Sequence, residues 1–315
     1  MKPLLIIAVI FLLPLISVLI VSQAVLHGRP HPAERPPIVG VAHFGLRTDD
    51  IASARKFYGG ILGYQEPFSL NKPDGTGLML TYFKVNDHQY IEVFPELKDA
   101  KQDRLSHICF ETTDIDQLRE YMAAQGVKGV PEKLEPMLDG NRGFEVDDPD
   151  GHTVEFIQYM PGSLHMKSAG KYLPDSRVSD RMIHVGVTVN DRAAADHFYK
   201  DILGFKEIWH GGMKDSDTDW VDMRVPDGTD WLEYMLNVHD PDPRLLGIMH
   251  HFALGAPSVQ AGYEAVTKRG YGSDEKPQVG RDGKWQFNMY DPNLTRVELM
   301  EPKPVQTPCC SPMQP

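Results

Sequence analysis

Four histidines along the chain are each followed, 47 to 49 residues later, by a glutamate in another strand-like run. An imidazole and a carboxylate together suit a divalent transition metal, because both offer a lone pair once they are deprotonated. Four matched pairs at nearly one spacing indicate a repeated unit that carries one or two metal sites. The pairs are His43 and Glu92, His107 and Glu155, His184 and Glu233, and His251 and Glu298.

The two halves of the chain are homologous copies of each other. Residues 54–66, which contain Phe-Tyr and Ile-Leu-Gly, match residues 195–207 at an offset of 141. The first histidine and the first glutamate of each half also differ by 141, and the second pair by 144 and 143. Within each half, the second unit is a more diverged copy of the first. Self-similarity of this kind indicates that each copy is one supersecondary unit.

Each unit is predicted to be a strand, then a helix, then further strands. Residues 39–46 read as a strand, and residues 50–58 place apolar side chains on one helical face. Gly63 is expected to end this helix, and residues 78–85 and 90–94 read as strands. The pattern therefore predicts an α+β fold built from four βαβββ units.

Two motifs resemble the vicinal oxygen chelate superfamily, which includes glyoxalase I, extradiol dioxygenases and bleomycin-resistance proteins. One is the Phe-Tyr and Ile-Leu-Gly segment after a histidine-bearing strand. The other is Asp-Pro-Asp-Gly-His-Thr-Val-Glu, which ends at Glu155. The resemblance covers residues 38–302 and implies two tandem domains, 38–160 and 181–302. Each domain would be a cup-shaped mixed sheet that holds one metal ion.

The resemblance also implies which residues bind the metal. If units 1 and 2 form one cup and units 3 and 4 the other, the ligand sets are His43, Glu92, His107 and Glu155, and His184, Glu233, His251 and Glu298. If units 1 and 4 pair instead, the sets become His43, Glu92, His251 and Glu298, and His107, Glu155, His184 and Glu233. The sequential pairing is favoured, as in the dioxygenases of the superfamily.

The chemistry of such a site suits a divalent zinc, nickel, manganese or iron ion. Open coordination positions would let a small substrate with two adjacent oxygens bind the ion, which would act as a Lewis acid. Glu155 and Glu298 are the candidate general bases. A lyase or isomerase is favoured, with an extradiol-type dioxygenase or a non-catalytic protein that binds an antibiotic or other small molecule as alternatives.

The composition limits the kinds of binding partner that we expect. The chain has 315 residues and a net charge of −12 without a basic cluster, which excludes nucleic acid as the expected partner. A small-molecule substrate remains, and the oligomeric state is left open. Trp220, Trp231 and Trp285 fall in the second half, where they either pack in the core or line the second cup.

The ends of the chain differ from the repeats. An apolar run from Leu4 to Val21 predicts a signal peptide over residues 1–24, or else a membrane anchor, and thus an exported protein. Residues 25–37 read as a proline-rich spacer, 161–180 as a linker and 303–315 as a disordered tail. The tail holds Cys309 and Cys310, and a simple disulfide between adjacent cysteines is expected to be strained.

Overall fold

The computed structural model of the protein describes residues 34–238 and 241–314. The predicted signal peptide or anchor at residues 1–24, and most of the spacer at 25–37, lie outside these residues. Within the described ranges, no helix is both long enough and apolar enough to cross a membrane.

The first half of the chain folds into one mixed sheet. Its strands are β1 (Ile38–Arg47), β2 (Ser69–Asn71), β3 (Leu78–Lys84), β4 (Tyr90–Phe94), β5 (Leu105–Thr112), β6 (Arg142–Asp147) and β7 (Thr153–Gln158). The order across the sheet is β2-β3-β4-β1-β5-β7-β6. Strand β1 pairs with β4 in parallel and with β5 antiparallel, so the first strands of units 1 and 2 meet at the middle of the sheet.

The second half forms a matching sheet. Its strands are β8 (Met182–Thr188), β9 (Lys206–Gly211), β10 (Trp220–Arg224), β11 (Trp231–Met235), β12 (His251–Gly255), β13 (Gln278–Val279), β14 (Trp285–Tyr290) and β15 (Arg296–Met300). The order is β13-β14-β15-β12-β8-β11-β10-β9. Each sheet contains strands of one half only, so the expected sequential pairing of units is confirmed and the alternative is excluded.

Short helices connect the strands. They are α1 (Ile51–Arg55), which continues as a π-helical segment (Lys56–Ile61), α2 (Ile115–Ala124), α3 (Leu164–Lys167), α4 (Arg192–Ala195), which continues as Asp196–Ile202, α5 (Leu246–Met249) and α6 (Val259–Lys268). The side chain of Asp50 caps α1 by accepting hydrogen bonds from the amides of Ala52 and Ser53. Gly63 follows the helix with φ of +84°, in the left-handed region that favours glycine.

The predicted fold class is confirmed, with one difference in the second unit. Three units have three strands after their helix, whereas only β6 and β7 follow α2. Residues 126–141 contain Gly126, Gly129, Pro131 and Pro136, which favour turns and disfavour a central strand, and they form none.

One hydrophobic core joins the two halves. Phe44 of β1 lies 5.2 Å from Phe252 of β12, and Phe110 of β5 lies 5.1 Å from Phe205, measured between ring centroids. Because successive side chains on a strand point to opposite faces, His43, next to Phe44, faces away from this core. The histidines and glutamates of both halves therefore occupy the opposite sheet faces, which are the cups.

Two symmetry-related hydrogen bonds cross between the halves. The hydroxyl of Tyr58 donates to Asp291 at 2.9 Å, and the hydroxyl of Tyr199 donates to Asp148 at 2.9 Å. Both tyrosines come from the repeated Phe-Tyr motif, and both aspartates belong to the Asp-Pro turn before a glutamate-bearing strand. All four side chains are buried. Each half thus holds the turn that leads into β7 or β15 of the other half.

Residues 303–314 differ from the disordered tail that the sequence predicts. The amides of Val305 and Cys309 donate to the carbonyls of Gly283 and Arg281, beside β13, and the amide of Gln314 donates to the carbonyl of Ile208 on β9. The tail therefore connects the turn between β13 and β14 with the edge strand β9, whose unpaired backbone groups give it a partner. Within it, Cys309 and Cys310 form a disulfide.

We predict that Tyr58→Phe and Tyr199→Phe each lower the free energy of unfolding by about 1 to 3 kcal/mol, because each removes one hydrogen-bond donor from a buried carboxyl group. Urea denaturation followed by circular dichroism measures the change. Tyr172→Phe, at a side chain that is 41% exposed, is the matched control and should be neutral. Equal stability of all three variants would contradict a structural role for the cross-domain bonds.

Candidate functional site

The first cup brings together the four residues that the sequence predicts for it. His43 comes from β1, Glu92 from β4, His107 from β5 and Glu155 from β7. The Nε2 atom of His43 lies 2.9 Å from Nε2 of His107 and 2.8 Å from a carboxylate oxygen of Glu155. The Nε2 atom of His107 lies 3.1 Å from Glu155 and 3.3 Å from Glu92. All four side chains are buried.

The second cup assembles the matching set. His184 comes from β8, Glu233 from β11, His251 from β12 and Glu298 from β15. The Nε2 atoms of the two histidines are 3.1 Å apart. His251 lies 3.1 Å from a carboxylate oxygen of Glu233, and His184 lies 3.6 Å from one of Glu298. We call these two sets the first and the second quartet.

Both quartets fit a metal ion. Two ligand atoms that each lie about 2.1 Å from one ion, at right or tetrahedral angles, are about 3.0 to 3.4 Å apart. The separations of 2.8 to 3.6 Å among the nitrogen and oxygen atoms of the first quartet bracket this range, and those of 3.1 to 3.6 Å in the second lie close to it. The Nδ1 atoms of His43 and His184 have no hydrogen-bond partner within the described residues. Each ring can therefore carry its proton on Nδ1, which leaves the lone pair of Nε2 free for a metal ion.

A glycine beside each quartet makes room for a histidine ring. Gly45 of β1 lies opposite His107, and Gly186 of β8 lies opposite His251. A Cβ atom at these positions would come within 2.5 Å and 2.1 Å of the respective rings. The sequence analysis missed both glycines, although His-x-Gly recurs at the offset of 141 and could have revealed them.

Aromatic side chains and helix α3 fill the first cup. His165 of α3 is buried with its ring centroid 5.0 Å from Tyr82, 4.5 Å from Tyr90 and 5.0 Å from Tyr159. Its Nδ1 atom lies 3.2 Å from Asp139. The helix belongs to the segment that the sequence predicts as a linker, so this segment also forms part of the first domain's interior.

The charges in the first quartet favour ion pairs. Burial acts to lower the pKa of His107, but hydrogen bonds and charges of Glu155 and Glu92 outweigh it and raise this pKa to about 10. Burial acts to raise the pKa of Glu155, and the neighbouring His43 and His107 outweigh it, so the pKa of Glu155 is lowered.

The second cup keeps an open cavity of about 380 Å³ beside its quartet. Its wall includes Glu233, Glu298, Trp209, Trp220 and Arg296. Trp220 thus lines the cup, as one of the two readings of the sequence proposes, while Trp285 packs against the core. Trp231 lies beside the quartet, 5.0 Å from the ring of His184. The sequence analysis missed Trp209, although it lies just after the repeated segment and corresponds to Phe68 at the offset of 141.

Charges in the second quartet differ from those in the first. Burial lowers the pKa values of both His184 and His251 well below the usual value, so both imidazoles are neutral at pH 7. Burial also raises the pKa of Glu298 to about 8, with Glu233 and Asp282 adding to the effect. Arg296 has its Nη2 atom 2.7 Å from Nδ1 of His251, and its positive charge disfavours a second one on that ring.

Comparison with known proteins identifies the family. The Glyoxalase/Bleomycin resistance protein/Dioxygenase superfamily matches the chain over residues 40–156 and 181–299. The chain belongs to this superfamily. The resemblance noted in the sequence is thereby confirmed, with two copies of the superfamily domain in tandem.

Individual relatives share only limited sequence identity with this chain. Glyoxalase I of Saccharomyces cerevisiae is 28% identical over 100 residues, which is 32% of this chain and 28% of that protein. The chain therefore aligns with little more than a quarter of that relative. The Mn(II)-bound glyoxalase from Novosphingobium aromaticivorans has a TM-score of 0.65 at 18% identity, covering 84% of this chain and 83% of that one.

A ring-cleaving enzyme has a similar fold. Homoprotocatechuate 2,3-dioxygenase from Brevibacterium fuscum, in its complex with 3,4-dihydroxyphenylacetate, superposes with a TM-score of 0.62 at 17% identity, over 87% of this chain and 83% of that one. At these identities, the two structural comparisons show a common fold. The reaction of this superfamily member has to be argued from its own residues.

Three other side chains of types that can bind metal lie outside the quartets. His250 faces away from the second cup, with Nε2 at 3.0 Å from Thr188 and Nδ1 at 3.1 Å from Asp103. His152 contacts Asp148 in the turn before β7 at 3.0 Å. Cys109 is buried beside the first quartet as a small apolar residue, and burial raises the pKa of its thiol.

We predict that Gly186→Ala weakens metal binding at the second quartet by about 10- to 100-fold, since the added methyl group displaces a ligand ring. Gly45→Ala should do the same at the first. Atomic emission spectroscopy after dialysis against limiting metal measures the metal content. Gly272→Ala, where a Cβ atom meets nothing within 4 Å, is the control. Full metal content in all three variants would show that the glycines do not support the sites.

Proposed function

We propose that the protein is a metal-dependent enzyme that acts in its second cup on a small substrate with two adjacent oxygens. The observation that carries this proposal is the position of His184, Glu233, His251 and Glu298 beside a cavity of about 380 Å³. Catalytic metal sites need such an open side, because substrate or water has to reach the ion. A divalent ion bound here would supply Lewis-acid polarisation of the substrate oxygens.

Glu298 is the residue to which we assign proton transfer. Its carboxyl group lines the cavity, where it can reach a bound substrate. Glu155, the equivalent residue and second candidate from the sequence, lies in the filled first cup and does not line this cavity. A base role therefore suits Glu298 better than Glu155.

The walls of the cavity define the substrate further. Trp209 and Trp220 offer apolar surfaces that suit an aromatic or otherwise apolar body. Arg296 lines the same cavity and forms no ion pair with a carboxylate among the described residues, so it is available to an anionic oxygen of the substrate. Two other cations lie nearby and are paired: Arg281, which also lines the cavity, with Asp215, and Lys284 with Asp282 at 3.1 Å.

Isomerase or lyase chemistry is the reaction class we favour. The two imidazoles and two carboxylates resemble the glyoxalase pattern more than the three-ligand dioxygenase pattern. Tyr290 precedes the Asp-Pro turn, and its hydroxyl donates to Glu275 at 3.0 Å instead of lining the cavity. The proposal includes an exported location, which the apolar run at residues 4–21 supports.

A non-catalytic binding protein is the second candidate. The tryptophan-lined wall of the cavity favours it, because stacking on Trp209 and Trp220 would hold an apolar ligand whether or not a metal is bound. Retained affinity for an aromatic ligand in protein stripped of metal would support this function over catalysis.

We predict that the protein purified without added metal contains a divalent ion that depends on the second quartet. His251→Ala and Glu298→Gln should each lose that ion, because each removes one of four ligands, whereas His250→Ala should keep it. Atomic emission spectroscopy measures the metal, and circular dichroism checks the fold. Metal content that falls equally in the His250 variant would contradict the assignment.

Oxygen uptake separates the two reaction classes. We expect metal-loaded protein to consume no oxygen with catechol in an oxygen electrode, since an isomerase or lyase needs no oxidant. Steady uptake that is abolished by Glu298→Gln would instead assign an extradiol-type dioxygenase.

A further inference from the structure

Corresponding positions in the two cups carry different residues. Glu145 of β6 lies opposite Glu155 of β7, and Asn288 of β14 lies opposite Glu298 of β15. The two registers are equivalent, so the first cup has a carboxylate where the second has an amide. This substitution changes the number of ionic ligands that each cup offers to a cation.

Glu145 is close enough to the first quartet to take part in it. A carboxylate oxygen of Glu145 and ligand atoms of His107 and Glu155 all lie within 4.8 Å of one another. Glu145 and Glu155 therefore place two carboxylates beside each other on neighbouring strands, and like charges so placed repel. A divalent cation between them would remove this repulsion.

The first cup is also filled on the side where the second is open. Tyr82 lies opposite Glu92 on β3, and the equivalent position opposite Glu233 on β10 is Asp222, which lines the cavity. Tyr82 in turn contacts His165 of α3. The first quartet therefore has side chains of the protein where the second has space for a ligand.

We propose that the first cup is a closed structural metal centre, with Glu145 as a fifth protein ligand, and that only the second cup exchanges its ion and ligands readily. Structural metal sites have all positions filled by protein, whereas catalytic sites keep one open. This inference rests on the proposed function for the identity of the second site. The first site thereby gains Glu145 as an additional ligand and has a structural role of its own.

Metal release from the full-length protein tests the proposal. Protein loaded with two zinc ions is mixed with excess chelator, and the release of each ion is followed over time. We expect two phases whose rates differ by about tenfold or more, the scale on which supporting ligands change metal binding. The fast phase should be missing in His251→Ala and the slow phase in His107→Ala.

The most specific test exchanges the residues at the two corresponding positions, Glu145 and Asn288. Glu145→Asn should speed the slow phase by about tenfold and leave the fast phase unchanged, while Asn288→Glu should slow the fast phase. Because Glu145 is an exposed residue, its replacement leaves the core intact. Glu132→Asn, at another exposed acid of the same half, is the control and should change neither phase.

Thermal unfolding provides a second readout. Loss of the slowly released ion of the first cup should lower Tm more than loss of the rapidly released ion of the second cup.

The possible failures are distinguishable. Protein that binds no ion at the second quartet would contradict the proposed function and this inference together. Two ions that leave at one rate, a first quartet that takes up no ion, or a slow phase unaffected by Glu145→Asn would each overturn this inference and leave the second site in place.

Discussion

The structure depends on burying two carboxylates and two imidazoles at one point in each sheet. A buried carboxylate without a partner costs several kcal/mol, so each quartet needs either proton sharing or a cation. The sheets meet this need by drawing one ligand from each of four strands, two of them adjacent first strands of neighbouring units. Duplication of the unit is thus what brings the ligands together, because one unit supplies only one histidine and one glutamate.

The same scaffold supports two different environments. In the first cup, the quartet is surrounded by tyrosines and by His165, and its residues form ion pairs among themselves. In the second, neutral imidazoles face a cavity that also contains Arg296. The difference arises from a few positions in equivalent registers, such as Tyr82 against Asp222 and Glu145 against Asn288. Divergence after duplication has therefore changed the walls while the four ligand types stayed the same.

Much of this was accessible from the sequence because repeats and strand periodicity are local signals. The four His/Glu pairs, the Phe-Tyr motif and the opposite orientation of His250 and His251 all follow from spacing alone. What surrounds the quartets was not accessible, since it depends on segments distant in the chain. The insertion of α3 into the first cup and the attachment of residues 303–314 to the second sheet are set by tertiary contacts that a linker-like composition does not reveal.

The paired Tyr58–Asp291 and Tyr199–Asp148 bonds have an evolutionary consequence. The turn at Asp291 leads directly into the strand that carries Arg296 and Glu298, and its buried anchor comes from the other half of the chain. A half whose own cup had lost catalytic activity would still be needed to stabilise the fold of the other half. Gene fission or loss of either copy would thus remove a scaffold along with a site, which gives selection a reason to retain both.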